Sequence, residues 1–269
     1  MLKNLQDLLI EQLYLFPFPK RIDALLSGQK LFFIVGMGRS GTTFLANLLR
    51  RAPGASVYHE TKGDSNALVE AYWDLRKGEK YIQGTRKRLI AARVMQSHCQ
   101  VYGEVNSLLR FHVDALRNLG SPIILHLVRD GRNVVRSGMN RNTFTPADKR
   151  MTGRLRPHIG DPYDNRWNTM DRFARMCWYW ASTINYLLQL QVPTVRFEDL
   201  IGSYEQFKNQ ILEPLGLEIS REHWQGEIRK PKNATEQKTF PVWEDWTLEQ
   251  KCQFLEICGN TMLALRYEI

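Results

Sequence analysis

A glycine-rich turn lies between an apolar strand and an apolar helix, and its residue types are suited to binding an anion. Residues 31–43 read LFFIVGMGRSGTT, with Gly36, Gly38 and Gly41 spaced through the turn. Glycine lets the backbone fold tightly and approach an anion closely, and the first turn of a helix adds free N–H groups and a positive dipole end. The segment therefore predicts a ligand that carries phosphate or a group of similar shape.

The cation of this loop does not stand where nucleotide triphosphatases place it. Their G-x-x-x-x-G-K-[ST] loop has a Lys directly after the second glycine, where it reaches the β- and γ-phosphates. Gly36 and Gly41 have that spacing, but Thr42 occupies the Lys position and the cation is Arg39. A guanidinium that donates to oxyanions without a metal suits a leaving phosphate beside a less highly charged transferring group. We therefore expect sulfuryl transfer, without a metal ion, in preference to ATP hydrolysis.

A second apolar strand, followed by a basic turn and a helix, occupies residues 121–137. Arg129 closes the strand and Ser137 follows eight residues later. Taken singly, Arg129 is explained by an ion pair with Asp130, and Ser137 by a solvent-facing helix position. Together with the glycine-rich loop, they predict a site for a second phosphate, because Arg donates bidentately to phosphate and a hydroxyl adds a short bond.

These two segments resemble the sulfotransferase superfamily, and the closest motif match is to its tyrosylprotein and bacterial branch. In that family an R-S-G-T-T type loop binds the 5′-phosphosulfate of 3′-phosphoadenosine 5′-phosphosulfate (PAPS), and an R-D-x-R-x-x-x-x-S element binds the 3′-phosphate. Residues 39–43 and 129–137 match these elements, and similar stretches at 195–200 and 243–250 extend the resemblance over most of the chain.

The resemblance implies an α/β, P-loop-type three-layer fold with a mostly parallel central sheet flanked by helices. It also implies PAPS as the donor and cofactor, PAP as the product, and no metal. The implied donor-binding residues are Gly38, Arg39, Ser40, Gly41, Thr42, Thr43, Arg129, Ser137, Lys232 and Asn233.

Two neighbouring residues, His59 and Glu60, are candidates for the general base. Transfer to a hydroxyl or amine needs a base within hydrogen-bond reach of the acceptor, and both residues follow a short predicted strand over 56–58. In the branch that the chain resembles, a Glu lies seventeen residues after the second Thr of the loop, and counting from Thr43 arrives at Glu60. The resemblance therefore assigns the base to Glu60, while an assisting or replacing role of His59 stays open.

Other positions bear on the same step. Many relatives carry a Lys that helps to stabilise the leaving oxygen, in a stretch where this chain has Val105. Arg39 then acts alone or together with another cation such as Lys62, and Asn106 is either a further donor or a helix cap. Cytosolic relatives use a later histidine as base, and three later histidines of this chain are therefore alternatives. These are His98, His112 and His126. His126 lies in an apolar strand and is expected in the core.

The resemblance implies in-line displacement, with Glu60 and Arg39 as the catalytic residues. Two other functions remain open at this point. The first is a small-molecule or nucleotide kinase on a similar sheet, which the missing loop Lys opposes. The second is a non-catalytic nucleotide-binding module, in which Glu60 would have no role. The acceptor is equally open between a small molecule, a glycan, a lipid and a peptide, because acceptor pockets are assembled from variable loops.

The elements that position these residues fit one large α/β domain over residues 31–269. A hydrophobic content of 43% is enough for a substantial core, and apolar residues between 44 and 49 repeat at helical spacing. Residues 1–30 are predicted to form a docking helix region, because acidic residues interrupt its apolar run too often for a membrane span. The polar stretch 140–172 is predicted to be a loop. The resemblance implies that this loop covers the acceptor, and a plain surface insertion is the alternative.

The net charge of +9 favours anionic ligands and leaves nucleic acid as a competitor on charge alone. No nucleic-acid motif accompanies it, and the basic residues near 76–93 are predicted to form a solvated helix face. The four cysteines have neither metal-site spacing nor a disulfide pattern, so we expect reduced thiols. The interrupted apolar run at the N-terminus predicts a cytoplasmic location. The sequence makes no prediction of oligomeric state.

Overall fold

A central sheet of five parallel strands organises the chain. The computed structural model describes residues 19–148, 151–230 and 240–269. The strand order is β2-β3-β1-β4-β5, and each neighbouring pair is parallel. The strands are β1 (Lys30–Gly36), β2 (Ala55–Tyr58), β3 (Val101–Val105), β4 (Ile123–Val128) and β5 (Thr194–Arg196).

Helices cover both faces of the sheet, which gives the three layers that the sequence predicts. The α-helices are α1 (Pro19–Ser27), α2 (Thr42–Leu49), α3 (Asp64–Trp73), α4 (Leu75–Tyr81), α5 (Lys87–Ser97), α6 (Val113–Arg117), α7 (Gly131–Met139), α8 (Arg172–Gln189), α9 (Phe197–Gly202), α10 (Tyr204–Phe207), α11 (Glu213–Leu215), α12 (Arg221–Ile228) and α13 (Leu248–Ala264). Short π-helical segments occupy Ile82–Arg86 and Lys208–Leu212, and 3-10 turns occupy Ser107–Leu109, Met151–Arg154 and Trp243–Asp245.

The alternation of side chains along β1 explains the layering. Phe32 and Ile34 pack with α2 and the α9–α12 region on one face of the sheet. Leu31 and Phe33 pack with α1, α5 and α6 on the other face. A central strand buried on both faces reads as a continuous apolar run, which is what residues 31–35 show in the sequence. The prediction of an α/β fold with a mostly parallel sheet is confirmed, and the described sheet is parallel throughout.

The N-terminal region is described only from residue 19 onward. Helix α1 packs through Leu26 into the same core as β1. The apolar positions on which the docking helix was predicted lie outside the described residues, so that helix and the boundary at residue 30 stay predictions. Within the part of the chain that the structure describes, no helix is both long and apolar enough to cross a bilayer.

The basic stretch near 76–93 differs from the sequence prediction most clearly at Arg86. Arg76 and Arg88 are exposed, as a solvated helix face requires. Arg86, however, has 0% exposure and lies in the π-helical segment between α4 and α5. The prediction of a solvated face was wrong for Arg86, because two buried carboxylates in distant segments of the chain pair with its guanidinium.

Candidate active site

The glycine-rich loop joins β1 to α2 at the carboxyl end of the sheet, and its backbone is held in an unusual conformation. A Cβ on Gly36 would lie 2.3 Å from the carbonyl oxygen of Leu127 on β4, so only glycine lets β1 and β4 run this close. Gly41 has a φ of 96° and Arg39 a φ of 80°, both in the left-handed region. A non-glycine residue in that region is strained, and such strain is typical of functional sites.

The loop presents polar groups that have no partner inside the described structure. The amide of Ser40 donates to the carbonyl of Met37 at 3.2 Å. The amides of Gly41, Thr42 and Thr43 make no hydrogen bond to any described residue. The hydroxyl of Ser40 is fully buried and also has no partner among those residues. These groups fit an oxyanion bound at the start of α2.

Arg39 and Arg129 bring the two predicted phosphate-binding segments together. Arg39 Nε donates to Ser137 Oγ on α7 at 2.8 Å, and Arg129 Nη1 donates to the carbonyl of Arg39 at 3.3 Å. The ion pair between Arg129 and Asp130, an alternative that the sequence left open, does not form, because Asp130 pairs with Arg132 at 2.6 Å. Within the described residues Arg129 has no carboxylate partner, and it lies over the ring of Phe197 at 5.2 Å.

A cavity of about 280 Å³ lies on this side of the loop. Arg39 and Arg129 contribute its cationic lining near the loop, and Lys230 lies at its edge, where its ammonium pairs with Glu227 at 2.6 Å. Lys232 and Asn233, the remaining predicted donor-binding residues, lie outside the described residues.

A larger cavity, of about 660 Å³, lies on the other side of the loop and contains Glu60. Glu60 follows β2 with a φ of 42°, its side chain is solvent-exposed, and its Oε1 accepts a hydrogen bond from Ser107 Oγ at 2.6 Å. The cavity also takes in backbone and side-chain groups of the loop, of the turn after β3 and of α8. Its lining is Met37, Gly38, Arg39, Thr42, Thr43, His59, Glu60, Ser65, Ser107, Leu108, Arg110, Gly138, Arg141, Thr143, Met176 and Tyr179.

His59 lies beside Glu60, but both of its ring nitrogens have partners. Nδ1 lies 2.6 Å from the carbonyl of Val105, and Nε2 lies 3.1 Å from Thr43 Oγ1. Since a carbonyl only accepts, Nδ1 carries the proton and Nε2 accepts from the threonine hydroxyl. His59 therefore links the glycine-rich loop to the end of β3, and its ring is a positioning group in this arrangement.

The other candidate bases and the candidate second cation do not line this cavity. His126 on β4 and His112 before α6 are both buried, and desolvation lowers the pKa of His126 to about 3 and that of His112 to about 4. His98 ends α5, away from both loop cavities. Lys62 is exposed and is not part of either lining.

The comparison with protein families gives a match over most of the chain. The model of the family described as "Sulfotransferase family" matches residues 32–221, which is more than half of the chain. The chain belongs to the sulfotransferase family. No curated protein sequence matches the chain.

Solved structures show the same fold in two other sulfotransferases. The sulfotransferase domain of the olefin synthase from Synechococcus PCC 7002 superposes with a TM-score of 0.52 at 18% identity, over 90% of this chain and 96% of that domain. Sulfotransferase STF9 from Mycobacterium avium gives a TM-score of 0.51 at 12% identity, over 90% of this chain and 78% of that one. At these identities the likeness shows the fold alone.

In this sulfotransferase a buried charge network anchors the segment that carries Glu60. Asp64, at the start of α3, accepts from the amide of Thr61 at 3.0 Å and from Tyr81 OH at 2.7 Å. Arg86 pairs with Asp64 at 3.1 Å and also with Glu104 on β3, and all three side chains have no solvent exposure. The turn between β2 and α3 is thereby tied to β3.

Asn106 belongs to this network. Its Nδ2 donates to Asp64 Oδ2 at 2.7 Å, and its Oδ1 caps the following 3-10 turn by accepting from the amide of Leu108. Of the two roles that the sequence left open for Asn106, the structure therefore supports the cap. Its amide group is committed to buried partners.

Three residues near Glu60 were not predicted from the sequence as site residues. Ser107, Arg110 and Arg141 all line the larger cavity. The signal for Ser107 was present, since it follows the end of a strand that is parallel to β1 and polar residues at that sheet edge meet at the ligand site. No local pattern marks the two arginines.

Proposed function

We propose that this sulfotransferase transfers a sulfuryl group from PAPS to a hydroxyl or amine acceptor by in-line displacement, with Glu60 as general base. The observation that carries the proposal is that Arg39, Thr42 and Thr43 line both cavities. The smaller cavity has Arg39 and Arg129 for a phosphorylated donor, and the larger one has Glu60 for the acceptor. A group held at the loop is therefore accessible from the side on which Glu60 lies.

On the donor side, the proposal assigns the 5′-phosphosulfate to residues 38–43 and the 3′-phosphate to Arg129 and Ser137. Three observations within the described residues support this assignment: the amides of Gly41, Thr42 and Thr43 have no partner, the Ser40 hydroxyl has none, and the Arg129 guanidinium has no carboxylate partner. Lys232 and Asn233 are proposed to close over the 3′-phosphate. PAPS, when bound, supplies an activated sulfuryl group whose leaving group is a phosphate.

On the acceptor side, Glu60 takes the proton of the attacking hydroxyl. The hydrogen bond from Ser107 holds one oxygen of its exposed carboxylate and leaves the other oxygen for the acceptor. Arg39 donates to the phosphate oxygen that gains charge as the bond to sulfur breaks. With Val105 at the position of the family Lys, Arg39 performs this task without a second cation from β3.

The remaining proposals concern organisation and location. We propose that residues 31–269 form one sulfotransferase domain and that residues 1–30 form a docking region. The four cysteines are free thiols, which is compatible with the cytoplasmic location that we propose. No nucleic-acid partner is part of the proposal.

The test is a comparison of ligands followed by an assay of transfer. PAP is expected to raise the melting temperature more than ATP with Mg²⁺, because the site has two separate phosphate positions and no P-loop Lys. Radiolabelled PAPS, incubated with metabolite and glycan panels, is then expected to pass its label to an acceptor. A larger shift with ATP and Mg²⁺ would favour a kinase, and PAP binding without any transfer would favour a non-catalytic module.

A further inference from the structure

We infer that the acceptor carries an acidic group, such as a carboxylate, phosphate or sulfate ester, beside its reacting hydroxyl, and that Arg110 and Arg141 bind this group. The inference rests on the proposed function, because it assigns the larger cavity to the acceptor. It adds the chemical class of acceptor, which the family motifs leave open.

Arg110 is a buried cation without a carboxylate partner in the described structure. It is 1% exposed, its Nη1 donates to the carbonyl of Ser107 at 2.5 Å, and its Nη2 donates to Tyr179 OH. Its Nε has no hydrogen-bond partner within the same residues. Burial lowers the pKa of the Arg110 guanidinium, as desolvation of a cation should. A buried guanidinium whose hydrogen bonds go only to neutral groups is costly, and an anion beside it compensates for that cost.

Arg141 provides a second guanidinium on the same cavity. In the described part of the chain its side chain makes neither an ion pair nor a hydrogen bond, and its Nε is buried. The backbone around it is fixed, because Arg172 at the start of α8 donates to the carbonyls of Gly138, Met139, Arg141 and Thr143. The segment thus presents Arg141 at the cavity without pairing its charge.

The charge balance of the cavity lining points in the same direction. Its described lining includes three arginines and a single carboxylate, that of Glu60. Arg39 is shared with the donor cavity, where the phosphosulfate needs a cation. The other two arginines outnumber the single carboxylate of Glu60, so a neutral acceptor would leave one positive charge on the acceptor side unbalanced.

The position of Arg110 also fits an acceptor whose acidic group lies near the reacting hydroxyl. Ser107 links the general base to the anion-binding arginine, since its hydroxyl donates to Glu60 and its carbonyl accepts from Arg110. The base and the anion-binding arginine are thus held by one residue. A cavity of about 660 Å³ is large enough for a hydroxy acid of drug-like size.

The experiment compares matched acceptors on protein saturated with PAP, which blocks the donor site against adventitious anions. Binding of 4-hydroxybenzoate, 3-hydroxydecanoate and a glucuronate disaccharide is measured by calorimetry against the methyl ester of each. At least one acid is expected to bind about tenfold tighter than its ester, a difference of about 1.4 kcal/mol. In the presence of PAPS, the same acid is expected to be sulfated with the higher kcat/KM.

Three variants separate ligand binding from stability. Arg141→Gln, at a half-buried position, is expected to bring the acid-to-ester ratio close to one while PAP binding is retained, and Arg110→Met is expected to do the same if it folds. Arg76→Gln removes the same charge at a side chain that is 90% exposed, and it should keep the wild-type ratio.

The results distinguish this inference from the proposed function. Failure of PAP to bind, or absence of transfer to every acceptor, contradicts the proposed function. If PAP binds and no acid is preferred over its ester, or if Arg141→Gln keeps the preference, the anionic-acceptor inference is wrong while the donor assignment stands.

Discussion

Arg39 Nε lies 2.8 Å from Ser137 Oγ, although the two residues are 98 positions apart in the chain. The bond joins the loop after β1 to the helix after β4, which are the two segments assigned to the phosphates of the donor. A guanidinium has five N–H groups, and this bond uses the one on Nε. The two donor-binding elements are thus coupled through one side chain.

Substitutions at these two residues are expected to affect different steps. Arg39→Met should lower kcat by about 10²–10³-fold, because it removes a donor to the developing charge. Ser137→Ala should weaken PAP binding by about fivefold, the loss of one hydrogen bond of about 1 kcal/mol. Steady-state kinetics and calorimetry measure the two effects, with Ser97→Ala at an exposed position as control. Unchanged kcat in Arg39→Met would contradict its transition-state role.

Glu60→Gln tests the general base. The amide keeps the shape of the side chain but cannot take a proton, so transfer should fall by about 10²–10⁴-fold. PAP binding should be retained, because Glu60 does not line the donor cavity. Glu70→Gln, at an exposed position of α3, is the matched control. If Glu60→Gln retains full activity, the base is another group.

Arg129→Ala tests the second phosphate site. Loss of a charge-assisted hydrogen bond of about 1.5–3 kcal/mol should weaken PAP binding by roughly 10–100-fold. Binding of adenosine 5′-phosphosulfate, which lacks the 3′-phosphate, should change much less. Arg221→Ala removes an exposed arginine that pairs with Glu205, and it should bind PAP as the wild type does. Equal losses for both ligands would indicate a general effect on the fold.

Arg86→Met is expected to destabilise the fold. It leaves Asp64 buried without its cation and Glu104 with only the longer contact of 3.7 Å to Arg93, and breaking a buried pair typically costs about 3–5 kcal/mol of unfolding free energy. Arg76→Met, which breaks an exposed pair with Asp74, should cost at most about 1 kcal/mol. Urea unfolding followed by circular dichroism measures both changes. A loss for Arg86→Met no greater than that of the control would show that the network contributes little to stability.

The buried histidines predict a loss of stability in mild acid. Burial lowers the pKa of His126 to about 3, whereas in the unfolded chain it returns to about 6.5. Between these values the unfolded state binds more protons than the folded state, so the free energy of unfolding falls as pH falls from 6.5 towards 3. His126 contributes a slope of about 1.4 kcal/mol per pH unit, and His112 adds to it down to about pH 4.

The pH effect is measured by urea unfolding at pH 7.0, 6.0 and 5.0. His126→Gln should reduce the slope whatever it does to stability at pH 7.0. His223→Gln, at an exposed position of α12, should keep the wild-type slope. An identical slope in His126→Gln would show that His126 takes up no proton on unfolding in this range.

Much of this protein was predictable from short segments of sequence. The glycine spacing before α2, the apolar run of β1 and the interval from Arg129 to Ser137 are local patterns, and local backbone geometry follows from them. The parallel sheet followed from alternating strands and helices together with the family resemblance. Since parallel strands end at one edge, the sequence also predicted that the loop, His59 and Glu60 share an edge.

The environment of individual side chains was decided only by the tertiary structure. A periodic pattern assigned Arg86 to a solvated helix face, but the carboxylates that bury it come from α3 and β3. The sequence places His59 beside Glu60, but only the structure shows that both of its ring nitrogens have partners, from β3 and the glycine-rich loop. Arg110 and Arg141 carry no motif, and only the packing of α8 against the turns after β3 and α7 places them on one cavity. Sequence spacing determines local backbone shape, whereas burial and charge pairing depend on residues that are distant in the chain and meet only when it folds.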